Sequence, residues 1–273
     1  MRPTVHLPGP ALAAAGAVVL AVAGCGGSSG PGDGAAARAA SGPTYALMQM
    51  NLCLSGQAGC YDRVDYPAGV DDAVARIQGS RPDAVTLNET CRGDVERIAR
   101  RTGYHLRFTR VIYAGALLPC VRPGGRGLFG DAVLTRAPVV RAETHDFTGQ
   151  SGPERRRWLC VSTRGGVDVC TAHVNTRSRV EVAGNDAQCA EIARILARRA
   201  ATRTVIFGGD VNRRRSCAPA GAWTRTDGAG RQAGGLQHVY GSRALREPTA
   251  RVIPAAHTDH DVLLVRARLA AQR

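Results

Sequence analysis

Five short apolar runs along the chain each end at, or begin with, a polar side chain that can bind a cation or a phosphate. A run this short and rich in β-branched residues is typical of a buried strand, whose last residue is presented at the edge of a sheet. The polar residues at these positions are Asn51, Glu89, His173, Asp210 with Asn212, and Asp259 with His260. Their oxygen and imidazole groups predict a site for a hard divalent cation beside a phosphate.

The spacing of the other apolar residues predicts the remaining elements. Helical spacing predicts helices over 67–79, over a segment that ends before Gly103, and over 182–200. Strands are predicted over 104–110, 131–135, 139–147, 157–163, 167–172, 236–240 and 260–266. Few helices among many strands predict an α/β (α+β) domain of two packed sheets with helices outside them. Segments 111–130 and 216–235 are predicted to be loops.

The first 24 residues have the pattern of an export signal. Arg2 precedes an apolar stretch over 11–23 that is too short to span a bilayer comfortably, and Val22-Ala23-Gly24-Cys25 resembles a bacterial lipobox. We expect cleavage before Cys25 and its lipidation, which would anchor the protein to the membrane outside the cytoplasm. An ordinary signal peptide with an unrelated Cys25 is the alternative. Residues 25–43 are expected to be a flexible tether, followed by one domain over 44–273.

Eight cysteines follow Cys25, and an even number in an exported chain predicts disulfides. Cys160 and Cys170 flank a predicted turn and would lie side by side in a hairpin. Cys189 in the third helix and Cys217 after the next strand are expected at the same edge of the fold. The cysteines that remain are Cys53, Cys60, Cys91 and Cys120, whose pairing as Cys53–Cys60 and Cys91–Cys120 stays open. A zinc cluster is the alternative, although the chain has no Cys-x-x-Cys pair.

The charge of the chain indicates a polyanionic partner. All 36 basic residues are arginines, and the formal net charge at pH 7 is +14. This charge suits nucleic acid, anionic lipid headgroups or cell-wall polymers, without choosing among them. The run Arg213, Arg214 and Arg215 directly follows Asn212, so we expect it to contact phosphate at the site. A solvated surface is the alternative for each of these arginines.

Five motifs carry a family resemblance. They are Met48-Gln49-Met50-Asn51, Leu87-Asn88-Glu89, Thr171-Ala172-His173, Gly208-Gly209-Asp210-Val211-Asn212 and Thr258-Asp259-His260. In this order they resemble the motifs of the endonuclease/exonuclease/phosphatase superfamily, which includes deoxyribonucleases, abasic-site endonucleases, neutral sphingomyelinases and inositol polyphosphate 5-phosphatases. The resemblance covers residues 44–267 and implies a four-layer α/β sandwich.

The resemblance implies a metal site for Mg²⁺ or Mn²⁺. Glu89 would be the main ligand, and a carboxylate at the end of a buried run would be costly without a cation or a donor. Asn51 would be a neutral ligand or would orient water, with a turn residue as the alternative. Asp259 would complete the metal shell or steer a histidine.

The resemblance implies four catalytic residues. Asp210 and Asn212, two positions apart, would point to one face, where the carboxylate holds the attacking water and the amide donates to a phosphate oxygen. His173 and His260 would contact the phosphate or the leaving group or serve as the base, and the sequence does not assign these roles between them.

Two positions depart from the family pattern. Gln237 stands where many relatives have an aspartate that orients the histidine, and we expect its amide to accept a hydrogen bond from His260. An amide stabilises the protonated imidazole less than a carboxylate does. Asp131 stands where asparagine is common, which adds negative charge near the phosphate.

These features predict an exported, metal-dependent phosphodiester hydrolase that attacks in line with water, most simply a monomeric nuclease. One alternative is a lipid phosphoesterase that resembles sphingomyelinases or phosphoinositide phosphatases. With four Phe and two Trp, the sequence shows no aromatic-rich hairpin for membrane insertion. The other alternative, motivated by Gln237, is a non-catalytic polyanion-binding lipoprotein on a decayed fold.

Overall fold

The computed structural model describes residues 42–228, 230 and 232–270 of the chain. The α-helices in these ranges are α1 (Ala68–Ser80), α2 (Arg92–Thr102) and α3 (Val182–Ala200), and a short 3₁₀ helix covers Gly59–Arg63. The strands are β1 (Thr44–Asn51), β2 (Ala84–Cys91), β3 (His105–Arg110), β4 (Ile112–Tyr113), β5 (Ala116–Leu117), β6 (Phe129–Thr135), β7 (Val139–Asp146), β8 (Glu154–Arg155), β9 (Arg157–Thr163), β10 (Val167–Ala172), β11 (Thr204–Asp210), β12 (Trp223–Thr226), β13 (Gln237–Gly241), β14 (Leu245–Ile253) and β15 (Val262–Leu269).

The predicted signal peptide, Cys25 and most of the predicted tether lie outside the described residues. Their export and lipidation therefore stay predictions. Among the helices that are described, none is long and apolar enough to cross a membrane.

Most of the strands form two six-stranded sheets. The first sheet has the order β14-β15-β1-β2-β6-β3, and the second has the order β12-β13-β11-β10-β9-β7. Each sheet contains one parallel pair, β1 with β2 and β10 with β11, and its other pairs are antiparallel. Strands β5-β4-β8 form a separate small sheet.

The two large sheets pack face to face, with helices on their outer faces. Leu47 and Met48 are neighbours on β1, so their side chains point to opposite faces of the first sheet. Both side chains are fully buried, which shows that both faces of the sheet are covered. Leu47 packs in a cluster with Ile206 of the second sheet, whereas Met48 packs in a cluster with Ile77 of α1. On the second sheet, α3 contributes Ile192 to the outer cluster. The layers are helices, sheet, sheet and helix, so the predicted sandwich is confirmed.

Two predictions about loops are wrong. The segment 111–130 contains β4 and β5, and the segment 216–235 contains β12. The sequence pattern also does not predict strand β14, because its side chains are mostly exposed and Pro248 interrupts it beside a register shift between Arg246 and Thr249. Such an edge strand lacks the apolar pattern of a buried one, and only its pairing with β15 makes it a strand.

Four disulfides join Cys53 to Cys60, Cys91 to Cys120, Cys160 to Cys170 and Cys189 to Cys217. The third links residues that lie directly opposite each other on β9 and β10. The fourth ties α3 to the segment that follows β11, and so fixes this helix to the second sheet. All cysteines in the described part of the chain are oxidised, which leaves no thiolate for a zinc cluster there.

Candidate active site

One edge of the sandwich gathers the predicted site residues. The parallel pairs β1–β2 and β10–β11 end there, and β15, which is antiparallel to β1, begins there. A cavity of about 600 Å³ opens at this edge. Its lining includes Glu89, His173, Asp210, Asn212, Asp259 and His260. Asn51 is fully buried and hydrogen-bonds to two of these residues.

Glu89 reaches the cavity through an irregularity in its strand. The pairing of β2 with β6 shifts register between Leu87 and Thr90, and Glu89 has a φ of 54°, in the left-handed region. A bulge re-aims a side chain, and a non-glycine residue in this conformation costs on the order of 1–3 kcal/mol. Burial raises the pKa of the Glu89 carboxyl to about 7, although a hydrogen bond from Asn51 opposes the rise. The fold thus strains its backbone to place a carboxylate where water solvates it poorly.

Asn51 bridges two carboxylates. Its Nδ2 donates to Glu89 Oε1 over 2.8 Å and to Asp210 Oδ2 over 3.1 Å. Its Oδ1 accepts the Cys53 backbone N–H over 3.1 Å. An amide oxygen has two lone pairs, and Asn51 Oδ1 uses one of them here, so its role as a neutral metal ligand or water-orienter stays a prediction. Its amide nitrogen holds the two carboxylates at a fixed separation.

Asp210, Asn212 and His173 form a hydrogen-bonded group. The Asn212 backbone N–H donates to Asp210 Oδ1, and Asn212 Nδ2 lies 2.9 Å from both His173 Nε2 and the Val174 carbonyl oxygen. Because an amide nitrogen only donates, His173 Nε2 is the acceptor and carries no proton. Burial, and then the nearby charge of Arg156, hold the pKa of His173 well below its usual range. His173 is therefore neutral at pH 7.

The His260 imidazole lies beside the Asp210 carboxylate, which also belongs to the hydrogen-bonded group of Asn212 and His173. Its Nε2 is 3.5 Å from Asp210 Oδ2 and 3.9 Å from Asp259 Oδ1. Burial would raise the pKa of Asp210, but the nearby His260 imidazole and hydrogen bonds from the Asn212 backbone N–H and from Asn51 hold it below its usual range. Asp210 is therefore ionised at neutral pH.

Gln237 does not orient His260, so that prediction is wrong. The Gln237 side chain donates to Asp227 Oδ2 over 3.1 Å and to the Asp261 carbonyl oxygen, and it accepts from Gln49. The His260 Nδ1 atom is buried and has no hydrogen-bond partner among the described residues. Gln237 does lie in the predicted strand, but its side chain points into the space between the sheets.

The donor set fits a hard divalent cation. Glu89, Asp210 and Asp259 converge on the cavity, and within the described ranges none of them forms an ion pair with an arginine. Asp259 Oδ1 is buried without a hydrogen-bond partner there. Carboxylate oxygens are the ligands that Mg²⁺ and Mn²⁺ prefer. Cys53 and Cys60 lie beside Glu89, but their sulfurs form a disulfide and supply no thiolate.

Arg156 is a further charged residue of the cavity wall. Its side chain is 6% exposed, and Nη1 donates to the Val174 carbonyl oxygen over 2.9 Å. Nε lies 3.1 Å from Glu154 Oε1, so the guanidinium forms a buried ion pair with Glu154, although this N–H is not aimed at the oxygen. A guanidinium on the wall of the cavity is suited to an anionic ligand.

The arginine run after Asn212 does not line the cavity. Arg213 forms an ion pair with Asp186 over 2.7 Å and hydrogen-bonds to Asn185, both on α3. Arg214 and Arg215 are exposed. The expectation that all three contact phosphate is therefore corrected for Arg213, and it stays a prediction for the exposed pair.

Two large sheets between helices, with carboxylates and histidines at the strand ends, define an α/β-sandwich phosphoesterase. Residues 57–260 match the model of the Endonuclease/Exonuclease/phosphatase family, and the chain belongs to this family. Its members hydrolyse phosphodiester bonds and generally use divalent metal ions. No curated protein matches the chain at a significant level.

Solved structures share the fold at low sequence identity. An endonuclease/exonuclease/phosphatase from Beutenbergia cavernae is 20% identical, with a TM-score of 0.62 over 83% of this chain and 72% of that one. The human Nocturnin catalytic domain with bound sulfate is 14% identical, with a TM-score of 0.62 over 83% and 94%. D. rerio TDP2 complexed with a single-stranded DNA product is 14% identical, with a TM-score of 0.58 over 82% and 98%.

Proposed function

We propose that the protein is a divalent-cation-dependent phosphodiesterase that cleaves nucleic acid outside the cytoplasm. The observation that carries the proposal is the convergence of three carboxylates and two histidines on one cavity, with no arginine paired to those carboxylates in the described ranges. The four disulfides favour an oxidising compartment, which agrees with an exported chain anchored through Cys25.

The residues of the site divide the work of the reaction. Glu89 and Asp259 would hold Mg²⁺ or Mn²⁺, which neutralises charge that develops on the phosphate. The ionised Asp210 carboxylate accepts a hydrogen bond from water and aims its oxygen at phosphorus. His260, whose Nε2 lies 3.5 Å from Asp210, donates to a phosphate oxygen.

Substrate binding uses the other walls of the cavity. Arg156 supplies a guanidinium for a second phosphate oxygen. Tyr113, Leu118 and Phe129 form an apolar wall in the same cavity. A nucleobase attached next to the scissile phosphate suits this wall, since aromatic and apolar side chains stack on bases of any sequence. A base can enter the cavity only when it is unpaired, so we propose single-stranded or locally opened nucleic acid as the substrate.

One observation favours a second candidate function. Tyr113 and Leu117 on the β4–β5 hairpin are 46% and 48% exposed, and Tyr113 also lines the cavity. An apolar lip beside a phosphodiesterase site also suits a lipid substrate held at a membrane surface. The hairpin has a single aromatic residue, so we rank this candidate second.

A panel of substrates tests the proposal. Single-stranded DNA, duplex plasmid, RNA, sphingomyelin and a phosphoinositide are each incubated with Mg²⁺, with Mn²⁺ and with chelator. We expect cation-dependent cleavage of nucleic acid, faster on single strands than on the duplex. Asp210→Asn, prepared in parallel, excludes a contaminating nuclease. Cleavage of the lipids alone would transfer the assignment to the second candidate, and no cleavage by the wild type would refute both.

The two exposed arginines should carry part of the affinity for nucleic acid. Replacing Arg214 and Arg215 together with Ala should reduce the salt dependence of single-stranded DNA binding by about 0.7 in log–log slope for each phosphate that is no longer neutralised. Arg213→Ala should leave the slope unchanged, because Asp186 already pairs with this arginine. Binding is measured in chelator over a series of salt concentrations. Equal slopes for wild type and the double variant would identify both arginines as solvated surface.

A further inference from the structure

Three side-chain amides join the two sheets beneath the cavity. Gln49 on β1, Asn88 on β2 and Gln237 on β13 are all 0% exposed. Gln49 Nε2 donates to Asn88 Oδ1 over 2.8 Å and to Gln237 Oε1 over 3.2 Å. The link therefore crosses from the first sheet to the second at the end of the sandwich where the site lies.

The two ends of this amide chain hydrogen-bond to backbone groups at the site. One end binds the backbone of Asp210, and the other binds the backbone of the residue that follows His260. Asn88 Oδ1 also accepts the Asp210 backbone N–H over 2.8 Å. Gln237 Nε2 donates to the carbonyl oxygen of Asp261, the residue that follows His260. Asp210 and His260 come from different sheets, and the three amides connect them through hydrogen bonds alone.

The direction of each amide is fixed by its partners. Gln49 Nε2 donates one hydrogen bond to Asn88 Oδ1 and one to Gln237 Oε1, while Gln49 Oε1 accepts from Thr86 Oγ1 over 2.6 Å. Asn88 Nδ2 donates to Asp131 Oδ1 over 3.0 Å, and Gln237 Nε2 also donates to Asp227. A reversed amide would place like groups together in a buried space, where an unsatisfied polar group is costly.

The sheets must approach closely for these contacts to form. A Cβ atom at Gly208 would lie 2.3 Å from Thr86 Oγ1 and 3.3 Å from Gln49 Oε1, so only glycine permits this spacing. The first glycine of the Gly-Gly-Asp motif thus makes room for the amide chain.

We infer that Gln49 and Gln237 are positioning residues, which hold Asp210 and the backbone beside His260 at the separation that the reaction needs. The inference rests on the proposed function for its catalytic consequence. It also gives Gln237 a role other than orienting the imidazole ring. A misplacement of about 1 Å in an active site can cost about 100-fold in rate.

A matched pair of variants separates positioning from stability. Gln49→Met removes both amide donors from the chain, whereas Thr86→Val removes a hydrogen bond to the same side chain without breaking the link between the sheets. We expect Gln49→Met to lower kcat by about 10- to 100-fold with KM within about threefold of the wild type. Thr86→Val should keep kcat within about threefold of the wild type. Equal losses in the two variants would contradict the inference.

A second variant tests the hydrogen bond from Gln237 to the Asp261 carbonyl oxygen. Its paired substitution controls for a loss of stability. Gln237→Glu combined with Asp227→Asn exchanges the amide and the carboxylate, so the hydrogen bond between them can form in the opposite direction. The Asp261 carbonyl oxygen then no longer accepts from residue 237. We expect this pair to recover most of the melting temperature that Gln237→Glu alone loses, but to leave kcat reduced by about tenfold or more. Full recovery of kcat would show that the Asp261 contact positions nothing.

Hydrogen exchange gives a readout that does not depend on activity. The Asp210 amide should exchange at least about tenfold faster in Gln49→Met than in Thr86→Val, with the Val169 amide on β10 as an internal reference. Unchanged exchange at Asp210 would overturn the inference even if kcat fell. If the wild type cleaves no substrate but exchange changes as expected, the proposed function fails and the positioning network stands.

Discussion

Replacing Glu89 with Gln should lower turnover by at least about 10²-fold at saturating Mg²⁺ while leaving the fold and the disulfides intact. The substitution keeps the volume of the side chain but removes the charge that the site offers to a cation, and metal ions stabilise phosphoryl transition states by several kcal/mol. The measurement is kcat over a series of Mg²⁺ concentrations, so that weakened metal binding is separated from slower chemistry. Wild-type turnover at high Mg²⁺ would remove Glu89 from the metal site.

Thermal stability gives the same substitution a second test. Because burial raises the pKa of Glu89 from 4.5 to about 7, the folded protein holds this proton more tightly than the unfolded chain does. Between these pKa values stability falls as pH rises, by at most about 3 kcal/mol for this group, and a bound cation offsets the loss. Mg²⁺ should therefore raise the melting temperature more at pH 8 than at pH 5.

The Glu89→Gln variant should lose most of the Mg²⁺ effect and the part of the pH dependence that Glu89 contributes, while the part from Asp131, whose pKa burial also raises to about 7, remains. Glu96→Gln is the matched control, since the Glu96 side chain on α2 is 42% exposed and pairs with Arg92. This control should keep turnover and the response to Mg²⁺. A melting temperature that responds to Mg²⁺ equally in wild type and Glu89→Gln would place the cation elsewhere.

Replacing Arg156 with Lys should lower kcat/KM by about 10²-fold. Lysine keeps the charge but loses the planar set of donors, and the loss of one preorganised donor to a transition state costs about 10²- to 10³-fold in other enzymes. The Val174 carbonyl oxygen would also lose one of its two donors, with Asn212 Nδ2 remaining, so a stability loss of about 1–3 kcal/mol is expected as well.

Arg126→Lys controls for that loss of stability. Arg126 is equally buried, at 6% exposed, and pairs with Asp94 over 2.7 Å, but it does not line the cavity. Both variants should melt at lower temperature, and only Arg156→Lys should lose most of its kcat/KM when assayed well below that temperature. Parallel losses in the two variants would mean that Arg156 acts only in packing.

The sandwich could be predicted from local pattern because its central strands are buried on both faces. Leu47 and Met48 are adjacent in sequence and pack on opposite sides of one sheet, and such continuous apolar runs are visible without any structure. The polar residues that end these runs were visible for the same reason. Strand β14 has no such run, so it can be identified only from its pairing with β15.

The local pattern predicts which residues lie at the site edge, because the residue that ends a buried strand is presented at the edge of its sheet. The contacts that those side chains make there depend on the tertiary structure. The bulge that turns Glu89 into the cavity depends on the pairing of β2 with β6, and the direction of Gln237 depends on Gln49 in the opposite sheet. Arg213 forms an ion pair with Asp186 of α3, while Arg156 is buried beside His173. Each outcome depends on a partner distant in sequence, and spacing along the chain carries no information about which partner that is.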